Sequence, residues 1–206
     1  MQLDAAVDAV VARVSALPAH EDRHLIAIAG PPASGKSTLA QKVVRALPDA
    51  CVVPMDGFHL DNRLLDQRNL RARKGAPETF DVNGFQHLLS RLRTDTEVIY
   101  PLFDRTRDCA IAGAGCVDAK TRTIVIEGNY LLLDAPGWRN LQAYWDLTAY
   151  LSVPNAVLRA RLLQRWHDHG YAREDAERKV DENDMPNALT TQNHLLTPDF
   201  LVEETT

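Results

Sequence analysis

The run Gly30-Pro31-Pro32-Ala33-Ser34-Gly35-Lys36-Ser37 fits the spacing G-x-x-x-x-G-K-[ST] at every position. Chemistry on a polyphosphate needs these residue types. Glycines let backbone N–H groups turn inward on phosphate oxygens, where a side chain would block the approach. A helix opening behind the loop, through Thr38, adds the positive end of its dipole. Lys36 is placed to reach the outer phosphates, and the Ser37 hydroxyl to hold Mg²⁺. The bare alternative is a chance turn, which would arise in about one chain of this length in a hundred. An apolar run before the loop and a helical pattern after it weigh against chance. Residues 30–38 therefore read as a binding loop for a nucleoside triphosphate.

In an open parallel sheet, ligands sit beyond the carboxyl ends of the strands. Asp56 follows the run Ala50–Met55, and Glu127 follows Ile124-Val125-Ile126. Alone, they would be a helix cap and a solvated strand end; beside a phosphate loop, both face the rim where the last phosphate lies. Phosphoryl transfer uses one carboxylate at the metal and one to accept the proton of the attacking hydroxyl. Glu127, after an unbroken apolar strand, fits the metal; Asp56 then fits the base. His59, three residues on, is placed to touch the acceptor. Two basic groups stand out in an acidic chain: Arg63, Arg68, Arg71, Arg73 and Lys74, and then Arg159, Arg161 and Arg165. Arg161 and Arg165 are four apart, so they share a helix face and can close on a nucleotide.

The elements that must position these groups follow from periodicity. Apolar residues at helical spacing predict a helix over 2–17, ending at Pro18. Strands are expected at His24–Ala29, Ala50–Met55, Glu97–Phe103, Thr121–Glu127, Leu147–Val153 and Asp199–Glu203. The proline at 54 favours an edge position for the second strand. Helices are expected at Thr38–Leu47, Asp61–Lys74, Asp81–Arg93, Asn155–His169 and Arg173–Glu182. Ala110–Cys116 reads as a hairpin or loop, and Asn183, Asp184 and Asn187 as a polar loop around Pro186. Trp138, Trp145 and Trp166 are expected to pack on the sheet. Strands alternating with helices predict a mostly parallel sheet covered on both faces.

The chain has 206 residues, 45% of them hydrophobic and 25% charged, which suits one ordinary domain and excludes disordered and fibrous classes. Twenty-three Lys and Arg against 28 Asp and Glu give a net charge of −5. That balance argues against nucleic acid or an anionic membrane as a partner. Three cysteines are too few and too irregular for a disulfide framework or zinc site. With no basic leader and no long apolar run, a cytoplasmic location is expected.

The phosphate loop, Met55-Asp56-Gly57-Phe58-His59, Lys74-Gly75-Ala76-Pro77-Glu78-Thr79-Phe80-Asp81, Tyr100-Pro101, Ile126-Glu127-Gly128-Asn129-Tyr130 and Arg161 with Arg165 occur in that order. The order resembles the P-loop small-molecule kinases that group uridine kinases, phosphoribulokinases and type I pantothenate kinases, and most of all bacterial fructose transport system kinases. The resemblance runs from about Leu25 to the last strand. It implies a three-layer α/β sandwich of the P-loop NTPase class, with a five-stranded sheet in the order 2-3-1-4-5 and a helical lid over about 155–185. It implies ATP and Mg²⁺, with Lys36, Asp56, Arg161 and Arg165 catalytic and Ser37 and Glu127 at the metal. The family's lysine- and proline-containing segment would line the acceptor pocket, implicating Lys74, Glu78 and Asp81. From the residues themselves His59 is a further acceptor contact or a plain polar loop residue, and Tyr100 a pocket-wall or core residue. Arg105 and Arg107 could take a sugar phosphate, as phosphoribulokinases do through extra basic residues. Asp-Gly-Phe is pantothenate kinase-like, whereas the aromatic pair of uridine kinases is missing. The implied partner is a small hydroxyl-bearing metabolite; a homodimer is left open, as is the rival reading of an NTP-driven switch or accessory ATPase.

Overall fold

Ile124-Val125-Ile126 is too apolar to face water on either side, and it lies in the interior of a parallel sheet. The computed structural model describes residues 2–18 and 23–203. Its main sheet contains β1 (His24–Ala29), β2 (Ala50–Pro54), β5 (Thr123–Gly128), β6 (Leu147–Ser152) and β7 (Phe200–Glu203). Between β2 and β5, the strands β3 (Val98–Asp104) and β4 (Cys109–Val117) form a separate antiparallel hairpin. The main sheet runs β2-β5-β1-β6-β7 with every pairing parallel. Counting only its own strands in chain order, this is 2-3-1-4-5.

The helices are α1 (Leu3–Ser15), α2 (Lys36–Ala46), α3 (Asn62–Gln67), α4 (Val82–Thr94), α5 (Asn155–Asp168), α6 (Arg173–Lys179) and α7 (Met185–Asn193). Alternate side chains of the central strands enter two cores. Leu25, Ala27, Ile124 and Ile126 join Phe85, Leu89 and Leu92 of α4; Ile26, Ile28 and Val125 join Val10 of α1 and Leu39 and Val43 of α2. β2 is an edge strand, where Pro54 withholds no ladder hydrogen bond that a neighbour needs. Pro101 falls where the hairpin register shifts, between Tyr100 and Leu102, because it has no N–H to give.

Three local expectations are corrected. Asp61–Lys74 is not one helix: Asn69 adopts a left-handed φ of 57°, the Leu70 N–H donates to the Leu65 carbonyl, and a short 3₁₀ turn follows at Arg71–Arg73. The polar segment around Pro186 is not a loop. α6 widens into one π-helical turn, Val180–Asp184, and continues as α7. Pro186 falls in the first turn of α7, where a missing N–H costs little and the widened turn relieves the ring. Trp138 and Trp145 do pack on the sheet core, but Trp166 lies in the lid, beside Tyr171 and Lys179.

Arg23 shows what a structural arginine looks like. It is buried, and its guanidinium donates to the carbonyls of Thr121, Leu92, Asp95, Thr96 and Asp118 at 2.6–3.1 Å. It thereby ties the end of α4 to the turn before β5. Arg23→Met is expected to cost about 2–4 kcal/mol, since the carbonyls lose a charged donor. Urea unfolding with an unchanged m-value would check this.

Candidate active site

β1 ends at Ala29 against neighbours on both sides, so the chain must turn sharply to enter α2. Ala33 (φ 62°) and Gly35 (φ 92°) make that turn in the left-handed region. A Cβ on Gly30 would come within 2.7 Å of Ser34 Oγ and 3.2 Å of the Leu151 carbonyl, so the loop packs only with glycine there. The amides of Lys36, Ser37 and Thr38 open α2 and lack acceptors within the helix. Ser34 is buried, and its Oγ has no hydrogen-bond partner among the described residues. A concave ring of amides with an orphaned hydroxyl fits phosphate oxygens.

Lys36 is part-buried behind this ring. Burial holds its ammonium below the ordinary lysine range, against the pull of Glu127 and Asp56. Glu127 is buried; burial pushes its carboxyl up, Lys36 and the Ser37 hydroxyl draw it down, and Asp56 pushes it further up. The donor set of Ser37 hydroxyl and Glu127 carboxylate suits Mg²⁺, which keeps waters and phosphate oxygens as its other ligands. Among the described residues no cluster of three or more His, Cys, Asp or Glu could hold a metal by itself.

Asp56 sits on a single 3₁₀ turn, Met55–Phe58, directly beyond the edge strand β2. Its Oδ2 accepts from Arg105 Nη2 at 2.8 Å, across from the hairpin. His59 Nδ1 lies 2.8 Å from the Asp56 carbonyl, and its ring packs on Phe80 and Phe103 with centroids 4.0 and 4.6 Å away. On the other side α5 brings in its arginines. Arg165 is part-buried, and burial followed by Arg105 lowers its pKa, while Asp184 and Asp56 raise it. Arg161 Nη1 donates to the Ala33 carbonyl at 3.4 Å. It borders a cavity of about 360 Å³ with Leu3, Ala6, Thr38, Leu151 and Val202.

The model for the Phosphoribulokinase / Uridine kinase family matches residues 25–191, which include the loop, both carboxylates and α5. The chain belongs to that family. A candidate uridine kinase of Schizosaccharomyces pombe is 35% identical over 99% of this chain and 94% of its own length. The crystal structure of a candidate fructose transport system kinase from Silicibacter sp. TM1040 is 51% identical, with a TM-score of 0.91 over 98% of this chain and 99% of that one. The structure of YFH7 from Saccharomyces cerevisiae, at 18% identity and a TM-score of 0.80 over the whole of both chains, shares the fold. Family membership makes the protein a P-loop phosphotransferase.

Within this family member, the fold brings Lys36, Ser37, Asp56, His59, Arg105, Glu127 and Arg165 within electrostatic or hydrogen-bond reach of one another. Other expected site residues lie elsewhere. Tyr100 is in the core, its hydroxyl donating to the Val52 carbonyl at 3.3 Å. Arg107 is exposed and paired at 3.6 Å with Asp104 in its own turn. Lys74 stays beside His59: its Nζ donates to Asn62 Oδ1 at 2.7 Å, lies 2.8 Å from Asp108 Oδ1 and 5.0 Å from the centre of the Phe103 ring that packs on His59, so it also pins the hairpin turn. Glu78 is half exposed, 4.0 Å from Arg73. The sequence carries no signal that Leu3 and Ala6 of α1 wall the cavity, because their apolar spacing fits plain packing equally well. Nor did it show that Arg73, through Asn183 and Asn187, fastens the acceptor-side segment to the π-helical turn.

Gly57 is where backbone meets backbone: a Cβ there would overlap the Pro101 carbonyl. Gly57→Ala is therefore expected to displace Asp56, lowering kcat by about 10-fold or more and stability by about 1–3 kcal/mol. Parallel kinetics and urea melts would show both losses together.

Proposed function

We propose that the protein transfers the γ-phosphoryl group of ATP to a hydroxyl of a small metabolite, with Mg²⁺. The observation that carries this is the meeting of two unlike carboxylates on Lys36. Glu127 is buried against the phosphate loop, and Asp56 is part-exposed at the acceptor side. One is set to hold a metal and the other to receive a proton. Bound between Ser37 and Glu127, Mg²⁺ would neutralise charge on the phosphate oxygens. The loop amides and Lys36 hold the phosphates, and Arg165 offsets charge that builds on the transferring group. The Asp56 carboxylate takes the proton as the acceptor oxygen bonds to phosphorus and the bond to ADP breaks. The ~360 Å³ cavity beside Arg161 is the place for the nucleotide base.

ADP release from ATP and Mg²⁺ tests the reading, against a panel of sugars, nucleosides, pantothenate and pentose phosphates with a no-acceptor control. Stimulation by one class is the expected result. Tight ATP binding with no stimulation by any compound would overturn it.

A further inference from the structure

The hairpin arginine that holds Asp56 has little structural work to do. Buried Arg23 uses its guanidinium on five carbonyls, whereas Arg105 makes one hydrogen bond among the described residues, to Asp56 Oδ2. Its side chain is 55% exposed at the mouth of the site. Yet the turn that carries it is firmly built. Asp104 Oδ1 accepts from the Thr106 and Arg107 amides and the Thr106 hydroxyl at 2.6–3.1 Å. Lys74 and Asn62 clamp Asp108 at the far side of the same turn. A rigid turn presenting an unsaturated guanidinium is the arrangement that binds a ligand at low ordering cost.

The pair also sets a conflict that the acceptor must resolve. The guanidinium occupies Asp56 Oδ2, one of the two oxygens that could receive the acceptor's proton. A neutral acceptor would have only Oδ1 to itself, with the guanidinium still against the carboxylate. An acceptor carrying its own oxyanion would offer the guanidinium a better, bidentate partner. His59 supplies the remaining contact: the Asp56 carbonyl can only accept, so Nδ1 carries the hydrogen. Burial lowers the imidazole pKa, so at neutral pH Nε2 is an open acceptor for a hydroxyl.

We propose that the acceptor is a hydroxylated metabolite bearing an oxyanion, a carboxylate or a phosphate, which takes the Arg105 guanidinium from Asp56 as its hydroxyl meets that carboxylate. The inference rests on the phosphotransferase reading given above. The transfer itself is balanced as before: the acceptor oxygen gains the phosphoryl group, ADP leaves, and the hydroxyl proton passes to Asp56.

The test is ADP release by the full chain with ATP and Mg²⁺. Its acceptors are polyols of three to six carbons in matched neutral, carboxylate and phosphate forms, with nucleosides added. One anionic member is expected to exceed its neutral counterpart by about 10²-fold or more in kcat/KM. Whether that member is the carboxylate or the phosphate names the oxyanion. Arg105→Gln should collapse the ratio to within a few-fold, chiefly through KM for the anion, and Arg105→Lys should restore part of it. A neutral compound as the best acceptor, or an anion preference that survives Arg105→Gln, would overturn the proposal and leave the kinase reading intact. Turnover of no compound, with ATP still bound, would overturn both.

Discussion

Asp56→Asn is expected to lower kcat by about 10²–10⁴ while nucleotide affinity stays near that of the unchanged protein. The substitution keeps the shape of the side chain and an oxygen that can still accept from Arg105. It removes only the capacity to take up a proton. Nucleotide affinity should hold because Lys36, which lies under the phosphate loop, keeps Glu127 as a buried counter-charge. The 3₁₀ turn that carries Asp56 is fixed by its packing under Pro101 and not by the carboxylate, so the fold should survive. Steady-state kinetics with the best acceptor, set beside a fluorescence titration with nucleotide, would separate the two effects. Full-rate phosphoryl transfer by this variant would remove Asp56 as the base.

The two lid arginines should separate as sharply. Both lie on one face of α5, yet the structure gives them different neighbours. Arg165 is part-buried within electrostatic reach of Asp56 and Arg105, where the proposed transfer would build charge. Arg161 reaches back to Ala33 and the cavity beside the loop. Removing an arginine that stabilises a transferring phosphoryl group costs about 10³–10⁵ in rate. Arg165→Ala should therefore lower kcat by about 10³, with a modest change in KM for ATP. Arg161→Ala should act mainly on KM for ATP. Equal kcat losses for both variants, or a larger one at 161, would reverse the assignment.

Asp184 explains how Arg165 is held there. Its carboxylate accepts from Trp166 Nε1 at 2.6 Å and lies within electrostatic reach of Arg165. It belongs to the π-helical turn to which Asn183 also belongs, and Asn183 Nδ2 donates to the Lys74 carbonyl at 2.9 Å. The lid arginine and the acceptor-side segment therefore share one short piece of backbone.

How much of this was legible beforehand follows from the range of the interactions. The phosphate loop, the central strands and the edge position of β2 are set by local rules: glycine conformations, unbroken apolar runs and a proline that cannot donate. Those rules act within a few residues, so Lys36, Ser37, Asp56 and Glu127 were already placed at strand ends and a helix start. The pairing of Asp56 with Arg105 spans 49 residues, and Arg161 meets Ala33 across 128. Contacts of that kind depend on how the hairpin and lid fold back over the sheet, and no periodicity encodes them. Tyr100 and Lys74 show the same limit from the other side, since their types suit a ligand pocket and only packing shows that one fills the core and the other clamps a turn. By itself the sequence determined the sheet, the phosphate loop and the chemistry of its rim. The tertiary structure alone decided which lid arginine stands near Asp56 and which side chain pairs with that carboxylate, because both depend on surfaces brought together from distant parts of the chain.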